Sequence, residues 1–178
     1  VLIIFTLTAN AEKLPVEAFG SLPAVSGVKI SPDGKNIAYK GIVDGSVFIA
    51  SVDLATNDKK YLVYTDNKKF KLGWFRWANN ETILFSAHYP KEWGAFKYAE
   101  SRLLKVLANG SKPSKPVFKP RKNDLVPQFQ SRVIDFLPDD PDHILMALNL
   151  ENWEFPSVYK INITSKKTKR DLIKRWHP

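Results

Sequence analysis

The chain of 178 residues is long enough for one domain with its own core, and it contains 44% hydrophobic and 12% aromatic residues. These values argue against disorder, and the absence of Cys excludes disulfides, thiolate zinc sites and cysteine nucleophiles. The net charge of +9 is concentrated in residues 112–122 and 166–175. A polyanion-binding surface is one interpretation of these basic runs. Because neither run is interleaved with aromatic residues for base stacking, we favour solvated loops and strand edges and expect no nucleic-acid partner.

The first eleven residues have the pattern of the end of a signal peptide. Val1–Thr8 is an uncharged apolar run, and Ala9 and Ala11 stand at the −3 and −1 positions of a cleavage site after Ala11. The run is too short to span a bilayer, which needs about 20 residues in a helix. We therefore predict export to the periplasm or the extracellular space, with no stable membrane insertion after cleavage; a buried N-terminal strand is the alternative.

Residues 12–27 have no clear periodicity and are interpreted as a segment that leads into the first repeat. That repeat, residues 28–65, is predicted to form strands over 28–31, 36–42, 46–54 and 59–65, with turn residues such as Asp33-Gly34 and Asp44-Gly45 between them. The motif of apolar run, polar turn and apolar run recurs twice. The spacing from Asp33 to Asn79 is 46 positions, and the spacing from Asn79 to Asp139 is 60 positions.

Two further repeats are predicted at residues 70–118 and 132–173. In the second repeat, residues 88–98 are an aromatic insertion between strands 82–87 and 102–107, and in the third, residues 149–156 are a similar excursion. A repeat of this size made of short strands is typical of a β-propeller blade. The predicted fold class is therefore all-β, a β-propeller fragment of about three four-stranded antiparallel blades, residues 28–178.

Four segments resemble secreted bacterial peptidases of the S9 family, the prolyl oligopeptidase group that includes dipeptidyl and acylaminoacyl peptidases. The segments are LPVEAF at Leu14–Phe19, ISPDGKNIAY at Ile30–Tyr39, FRW at Phe75–Trp77 and VYKIN at Val158–Asn162. The resemblance runs from Leu14 to about residue 170. It implies an N-terminal propeller that restricts access to a C-terminal α/β-hydrolase domain, with peptides as substrates.

The catalytic elements of that family are missing from this sequence. The chain has no Gly-x-Ser-x-Gly elbow, and His88, His143 and His177 stand in unrelated contexts, so we assign no catalytic residue and expect the chain alone to be inactive. The alternative is a non-enzymatic, TolB-like periplasmic propeller that binds or scaffolds other proteins. Unpaired sheet edges make a homo-oligomer possible in either case.

The candidate substrate-binding residues are Glu92 and Trp93 in the insertion. The resemblance implies a carboxylate that holds the free amine of a peptide, and Glu151 or Glu154 could serve instead of Glu92. We expect no cofactor and no metal, because the cluster of Asp135, Asp139, Asp140 and Asp142 lacks the spacing of an EF-hand loop. Large aromatic side chains are expected to fill the space between blades; they are Trp74, Phe75, Trp77 and Phe85.

Overall fold

The computed structural model describes residues 24–165 and 170–174, without the side chains of residues 170 and 174. This part of the chain is all-β and contains no helix long and apolar enough to cross a membrane. The predicted leader, its cleavage site at Ala9 and Ala11, and most of the segment that follows lie outside the described residues. The strands are β1 (Val25–Ile30), β2 (Asn36–Val43), β3 (Ser46–Asp53), β4 (Lys59–Thr65), β5 (Lys71–Trp77), β6 (Thr82–Trp93), β7 (Phe96–Leu107), β8 (Lys115–Pro116), β9 (Phe129–Gln130), β10 (Val133–Asp135), β11 (His143–Leu148), β12 (Ser157–Asn162) and β13 (Arg170–Lys174).

The strands form three sheets in which neighbours in sequence are also neighbours in space. The first sheet has the order β1-β2-β3-β4, the second β5-β6-β7-β8 and the third β10-β11-β12-β13, all antiparallel. One short strand, β9, pairs with β7 in parallel as an addition to the second sheet. Each sheet is thus a four-stranded meander of the kind that forms a propeller blade, and the predicted all-β class is confirmed.

The three recurring turn motifs each join the first and second strands of a sheet. In the first sheet, Gly34 has a φ of 72° and donates from its backbone to the carbonyl of Ser31, whose Oγ accepts the backbone N–H of Asn36 at 2.9 Å. In the second sheet, the side chain of Asn79 accepts the backbone N–H of Thr82 at 2.8 Å. Side-chain oxygens therefore replace the ladder hydrogen bonds that the chain loses where it reverses.

The first interface, between the first and second sheets, is rich in aromatic side chains. Its buried residues are Ala38, Ile49, Val63, Phe75, Trp77, Ile83, Phe85, Ala87 and Val106. Phe75 and Trp77 lie on the same face of β5, because side chains two positions apart in a strand point to the same side of the sheet. For that reason Trp74 cannot join them: it lies on the opposite face, is 38% exposed and meets the ring of Phe136 edge-on. The prediction that Trp74 belongs to the core is wrong, and the other three aromatic residues are buried.

The second interface, between the second and third sheets, is mostly aliphatic. Its buried residues are Leu84, Leu103, Val117, Phe118, Ile144, Met146, Leu148, Leu150, Tyr159, Ile161 and Ile163. Strand β6 supplies both interfaces, because Leu84 points to the third sheet while Ile83 and Phe85 point to the first. The middle sheet is therefore buried on both faces.

The connection between β6 and β7 differs from the predicted insertion. Both strands continue to a two-residue turn, with pairing from Thr82–Leu107 out to Trp93–Phe96. Gly94, the first turn residue, has a φ of 58°, the region that glycine adopts without steric cost. Residues 90–99 thus form an extended hairpin, here called the arm, which projects from the second sheet.

Candidate functional site

The connections between second and third strands define one end of the stacked sheets, here called the hairpin end. They are the β2–β3 turn, the tip of the arm, and residues 149–156 between β11 and β12. The opposite end is joined across the sheets: the side-chain amide of Asn79 donates to the carbonyl of Pro141 at 2.9 Å, and Ser51 Oγ donates to the carbonyl of Ala108 at 2.5 Å. Since these bonds between sheets lie at the opposite end, the loops of the hairpin end are the better place to look for a site.

A cavity of about 400 Å³ opens at the hairpin end beside the third sheet. The cavity is open to solvent over much of its boundary, and most of its lining is polar. Its lining combines two cations, two carboxylates, an amide, a phenol and one aliphatic side chain. The lining residues are Arg121, Lys122, Asn123, Asp124, Glu151, Tyr159 and Leu172.

Glu151 is held in this cavity by two side-chain hydrogen bonds. One carboxylate oxygen accepts the hydroxyl of Tyr159 at 2.6 Å, and the other accepts the hydroxyl of Ser157 at 3.0 Å. Both donors lie on β12, on the face that packs towards the second sheet. Two hydroxyl donors fix the orientation of this carboxylate at the edge of the cavity.

The loop that carries Glu151 is ordered by two asparagines. The side-chain amide of Asn149 donates to the carbonyls of Asn152 and Trp153, at 3.2 and 3.0 Å. In turn, Asn152 Oδ1 accepts the backbone N–H of Glu154 at 2.8 Å. Such side chain-to-backbone bonds replace a regular turn and keep residues 149–156 in one conformation.

The opposite wall of the cavity is a tight turn at residues 121–124. The carboxylate of Asp124 accepts the backbone N–H of Arg121, whose carbonyl accepts the backbone N–H of Asp124 at 3.0 Å. The backbone N–H of Leu125 donates to the carbonyl of Leu150 at 2.9 Å, which fixes this turn against the loop of Glu151. The arrangement brings cationic and anionic side chains together, so a zwitterionic or ammonium-bearing ligand suits the cavity best.

The predicted pair Glu92 and Trp93 lies on the arm and does not line the cavity. Glu92 is exposed and pairs with Lys97 across the arm at 3.9 Å, a surface ion pair of small energetic value. Trp93 stands opposite Phe96 at the tip, and the two side chains are 78% and 74% exposed. The structure therefore brings only Glu151, of the predicted carboxylates, into the cavity.

The other predicted or excluded acidic residues occupy loops, turns and the end of β10. Glu154 is exposed and does not line the cavity. Asp135 accepts the backbone N–H of Leu137 at 2.7 Å, and Asp140 contacts His143 and Lys160. Within residues 24–165 and 170–174, no group of three or more His, Cys, Asp or Glu side chains is arranged to hold a metal ion.

Sequence analysis did not identify the turn at residues 121–124 as part of a site. These residues lie in the proline-containing link between the second and third repeats, and they carry no motif. Tyr159 was recognised only as part of a strand. No local pattern indicates that these residues meet Glu151, because the contact depends on the pairing of Leu125 with Leu150 across the fold.

Comparisons with known proteins give matches at the level of structure alone. No family model matches the sequence, and neither does any curated protein. An acylaminoacyl peptidase in complex with Z-Gly-Gly-Phe-chloromethyl ketone is similar over 86% of this chain and 26% of its own, with 15% identity and a TM-score of 0.49. TolB from Acinetobacter baumannii is similar over 86% of this chain and 33% of its own, with 16% identity and a TM-score of 0.46.

A third similar structure is the β-propeller domain of the Trilobed protease from Pyrococcus furiosus. It matches 82% of this chain and 57% of its own, with 13% identity and a TM-score of 0.34. The chain thus spans between 26% and 57% of the length of these structures. At such identities a likeness concerns the fold alone, which the strand order has already defined.

Proposed function

We propose that this chain is the substrate-gating propeller part of an exported serine peptidase of the S9 type, which acts on peptides. The observation that supports the proposal most is the cavity in which Glu151 presents a fixed carboxylate at the hairpin end of the blades. The resemblance of Leu14–Phe19 and Ile30–Tyr39 to that family supports it independently. In this function the blades restrict access, so that extended peptides reach the hydrolase while folded proteins do not.

The substrate class follows from the charges of the cavity. The free N-terminal ammonium of a peptide needs a fixed counter-charge, and Glu151, held by Tyr159 and Ser157, provides one. The cations Arg121 and Lys122 are placed to attract carbonyl or carboxylate oxygens of the same ligand. Glu92 and Trp93 are kept as candidates for a contact with a longer peptide further out, on the arm.

The peptidase proposal is tested first on the coding sequence after codon 178. A Gly-x-Ser-x-Gly elbow followed by Asp and His supports it. The whole protein is then expected to react with a fluorophosphonate probe and to cleave short peptides faster than folded proteins. Further blades followed by a stop codon, or no labelling of the whole protein by the probe, would show that the proposal is wrong.

The role of Glu151 is tested in the whole protein with Glu151→Gln. We expect KM for peptides with a free N-terminus to rise at least about ten-fold, because a charge-assisted hydrogen bond contributes about 1.5 to 3 kcal/mol. Peptides with an acetylated N-terminus lack the ammonium and are expected to be unaffected. Glu154→Gln, on the same loop and outside the cavity, is the matched control. An equal effect on both kinds of peptide would indicate a structural role for Glu151.

A non-enzymatic binding propeller is the second candidate, and the arm favours it. Trp93 and Phe96 expose large apolar surfaces at the tip, and such patches mark protein interaction sites more often than chance. In that case Trp93→Ala is expected to abolish capture of a protein partner from the cell envelope without changing stability. Capture that does not depend on Trp93 would exclude this use of the arm.

A further inference from the structure

The turn that follows β7 contains Asn109-Gly110, and Asn109 is the only asparagine of the sequence that is followed by glycine. Both residues are exposed to solvent. An asparagine before glycine is prone to lose its side-chain amide, because glycine has no side chain to shield its backbone nitrogen. Whether this reaction takes place in the folded protein therefore depends on how firmly the structure holds the turn.

The reaction needs no reactant other than water. The backbone nitrogen of Gly110 loses its proton and attacks Cγ of Asn109, so that a C–N bond forms and the side-chain amide leaves with that proton as ammonia. Water then opens the cyclic imide at either carbonyl and leaves aspartate or isoaspartate at position 109. The attack requires that the N–H of Gly110 is released from any other partner and that the side chain of Asn109 can turn towards it.

Two hydrogen bonds within the turn oppose this attack. The N–H of Gly110 donates to the carbonyl of Leu107 at 3.0 Å. The side-chain oxygen of Asn109 accepts the backbone N–H of Ser111 at 3.0 Å, which directs the side chain towards the residue after the glycine. The nitrogen that attacks and the carbonyl group that it attacks are therefore both engaged while the turn stays closed.

The residue before Asn109 is held from two sides. The N–H of Ala108 donates to the carbonyl of Glu81 at 2.8 Å, and its carbonyl accepts the hydroxyl of Ser51 at 2.5 Å. Glu81 directly precedes β6 of the same sheet, whereas Ser51 lies on β3 of the first sheet and is only 3% exposed. A buried hydroxyl group of the first sheet thus holds a turn of the second sheet.

We propose that Asn109 is a site of spontaneous deamidation and that Ser51 keeps this site closed in the folded protein. Without the bond from Ser51 to Ala108, only the second sheet holds the turn, and the N–H of Gly110 is released more often. The product adds a negative charge, and isoaspartate also adds one methylene group to the backbone of the turn. The turn lies at the opposite end of the sheets from the Glu151 cavity, and the proposal does not depend on the peptidase function.

The experiment is an incubation of the folded protein in mildly alkaline buffer, with peptide mapping by mass spectrometry to follow aspartate and isoaspartate at position 109. The variants are the wild type, Ser51→Ala, and Ser46→Ala as the matched control, a buried serine at the start of the same strand. We expect Ser51→Ala to deamidate about two- to ten-fold faster than the wild type, the factor that one hydrogen bond contributes. Ser46→Ala is expected to react at the rate of the wild type.

Urea separates local opening of the turn from loss of the whole fold. Concentrations below the unfolding transition are expected to leave the rate of Ser51→Ala unchanged, because the turn opens by itself. The unfolded wild type is expected to react at least about ten-fold faster than the folded wild type, because the bonds that hold the turn are lost together. Equal rates for Ser51→Ala and Ser46→Ala, or a rate of Ser51→Ala that rises steadily with urea, would overturn the role of Ser51. Equal rates in the folded and unfolded wild type would show that the turn protects nothing.

Discussion

The first and second interfaces fill the same kind of gap between two sheets with different side chains. At the first interface, the rings of Phe75, Trp77 and Phe85 extend from the second sheet to small or branched residues of the first, such as Ala38. At the second interface, branched aliphatic side chains of the third sheet meet Leu84 and Leu103, and two residues after β8, Val117 and Phe118, complete the core. Sheets that stack face to face are therefore joined either by a few large rings or by many smaller side chains assisted by a loop.

The two interfaces also differ in the kind of side chain that donates a hydrogen bond across them. At the first interface, the indole N–H of Trp77 donates to the carbonyl of Lys29 at 3.0 Å, so a core ring also makes the polar contact. At the second interface, the ammonium of Lys105 donates to the carbonyls of Ile163 and Ser165. Besides the bonds of Ser51 and Asn79 at the opposite end, the first interface thus has a neutral donor from its core and the second a charged donor from its margin.

The comparison is tested most directly by truncating the adjacent residues Phe85 and Leu84, which point to opposite interfaces. Phe85→Ala is expected to lower the free energy of unfolding by about 3 to 5 kcal/mol and Leu84→Ala by about 2 to 5 kcal/mol, because each leaves a cavity in a fully buried site. Urea denaturation measures both. Val43→Ala, at an exposed site, is the control. Losses below about 1 kcal/mol for both core variants would show that the sheets are not joined as described.

A smaller effect is expected from Trp77→Phe, which keeps an aromatic ring and removes the donor to Lys29. We expect a loss of about 1 to 3 kcal/mol in the free energy of unfolding, since the hydrogen bond to the carbonyl of Lys29 is lost and the smaller ring fills less of the core. The matched control is Trp74→Phe on the same strand, whose indole is partly exposed on the other face. Equal losses in the two variants would mean that the indole bond contributes nothing to the first interface.

The third test concerns Lys105 and the pH dependence of the second interface. Burial and, second, the nearby Lys115 hold the pKa of Lys105 below its ordinary value of 10.5. At a pH between the pKa of Lys105 in the folded protein and its value in the unfolded chain, the unfolded chain binds more protons than the folded protein. Lys105 therefore makes the free energy of unfolding rise with pH as the pH approaches 10.5. Lys105→Met is expected to remove that rise, and the exposed Lys112→Met to keep it. Parallel pH profiles for the wild type and Lys105→Met would contradict the assignment.

Much of the fold is predictable because its signals are local. The turn at Ser31–Asn36 has residues whose side chains and φ values reverse the chain, and the strands on either side alternate between apolar and polar residues. The arm was missed because Pro90, Lys91 and Glu92 interrupt the apolar pattern of β6. Its strands are instead defined by pairing with residues 96–101 across the turn at Gly94, a property of two segments together.

The candidate sites are less predictable because they depend on register and on long-range contacts. Glu151 was a candidate from its place in an excursion, yet nothing near it in sequence indicates that the turn at residues 121–124 forms the opposite wall.

The smallest effect is expected at the margin of the third sheet, where Asp140 contacts two cationic groups away from both cores. Hydrogen bonds from Lys160, at 2.6 Å, and then from His143, at 2.8 Å, hold the pKa of Asp140 below its ordinary value of 3.8. A carboxylate whose pKa is lower in the folded protein than in the unfolded chain stabilises the fold at a pH above its pKa in the unfolded chain. This stabilisation is lost as the pH falls through its pKa in the folded protein. As the pH falls below about 5, Asp140→Asn is therefore expected to lose Tm less steeply than the wild type. Asp139→Asn, at the neighbouring exposed carboxylate, should follow the wild type. If instead Asp140→Asn and Asp139→Asn have the same slope, the contact with Lys160 adds no stability to the third sheet.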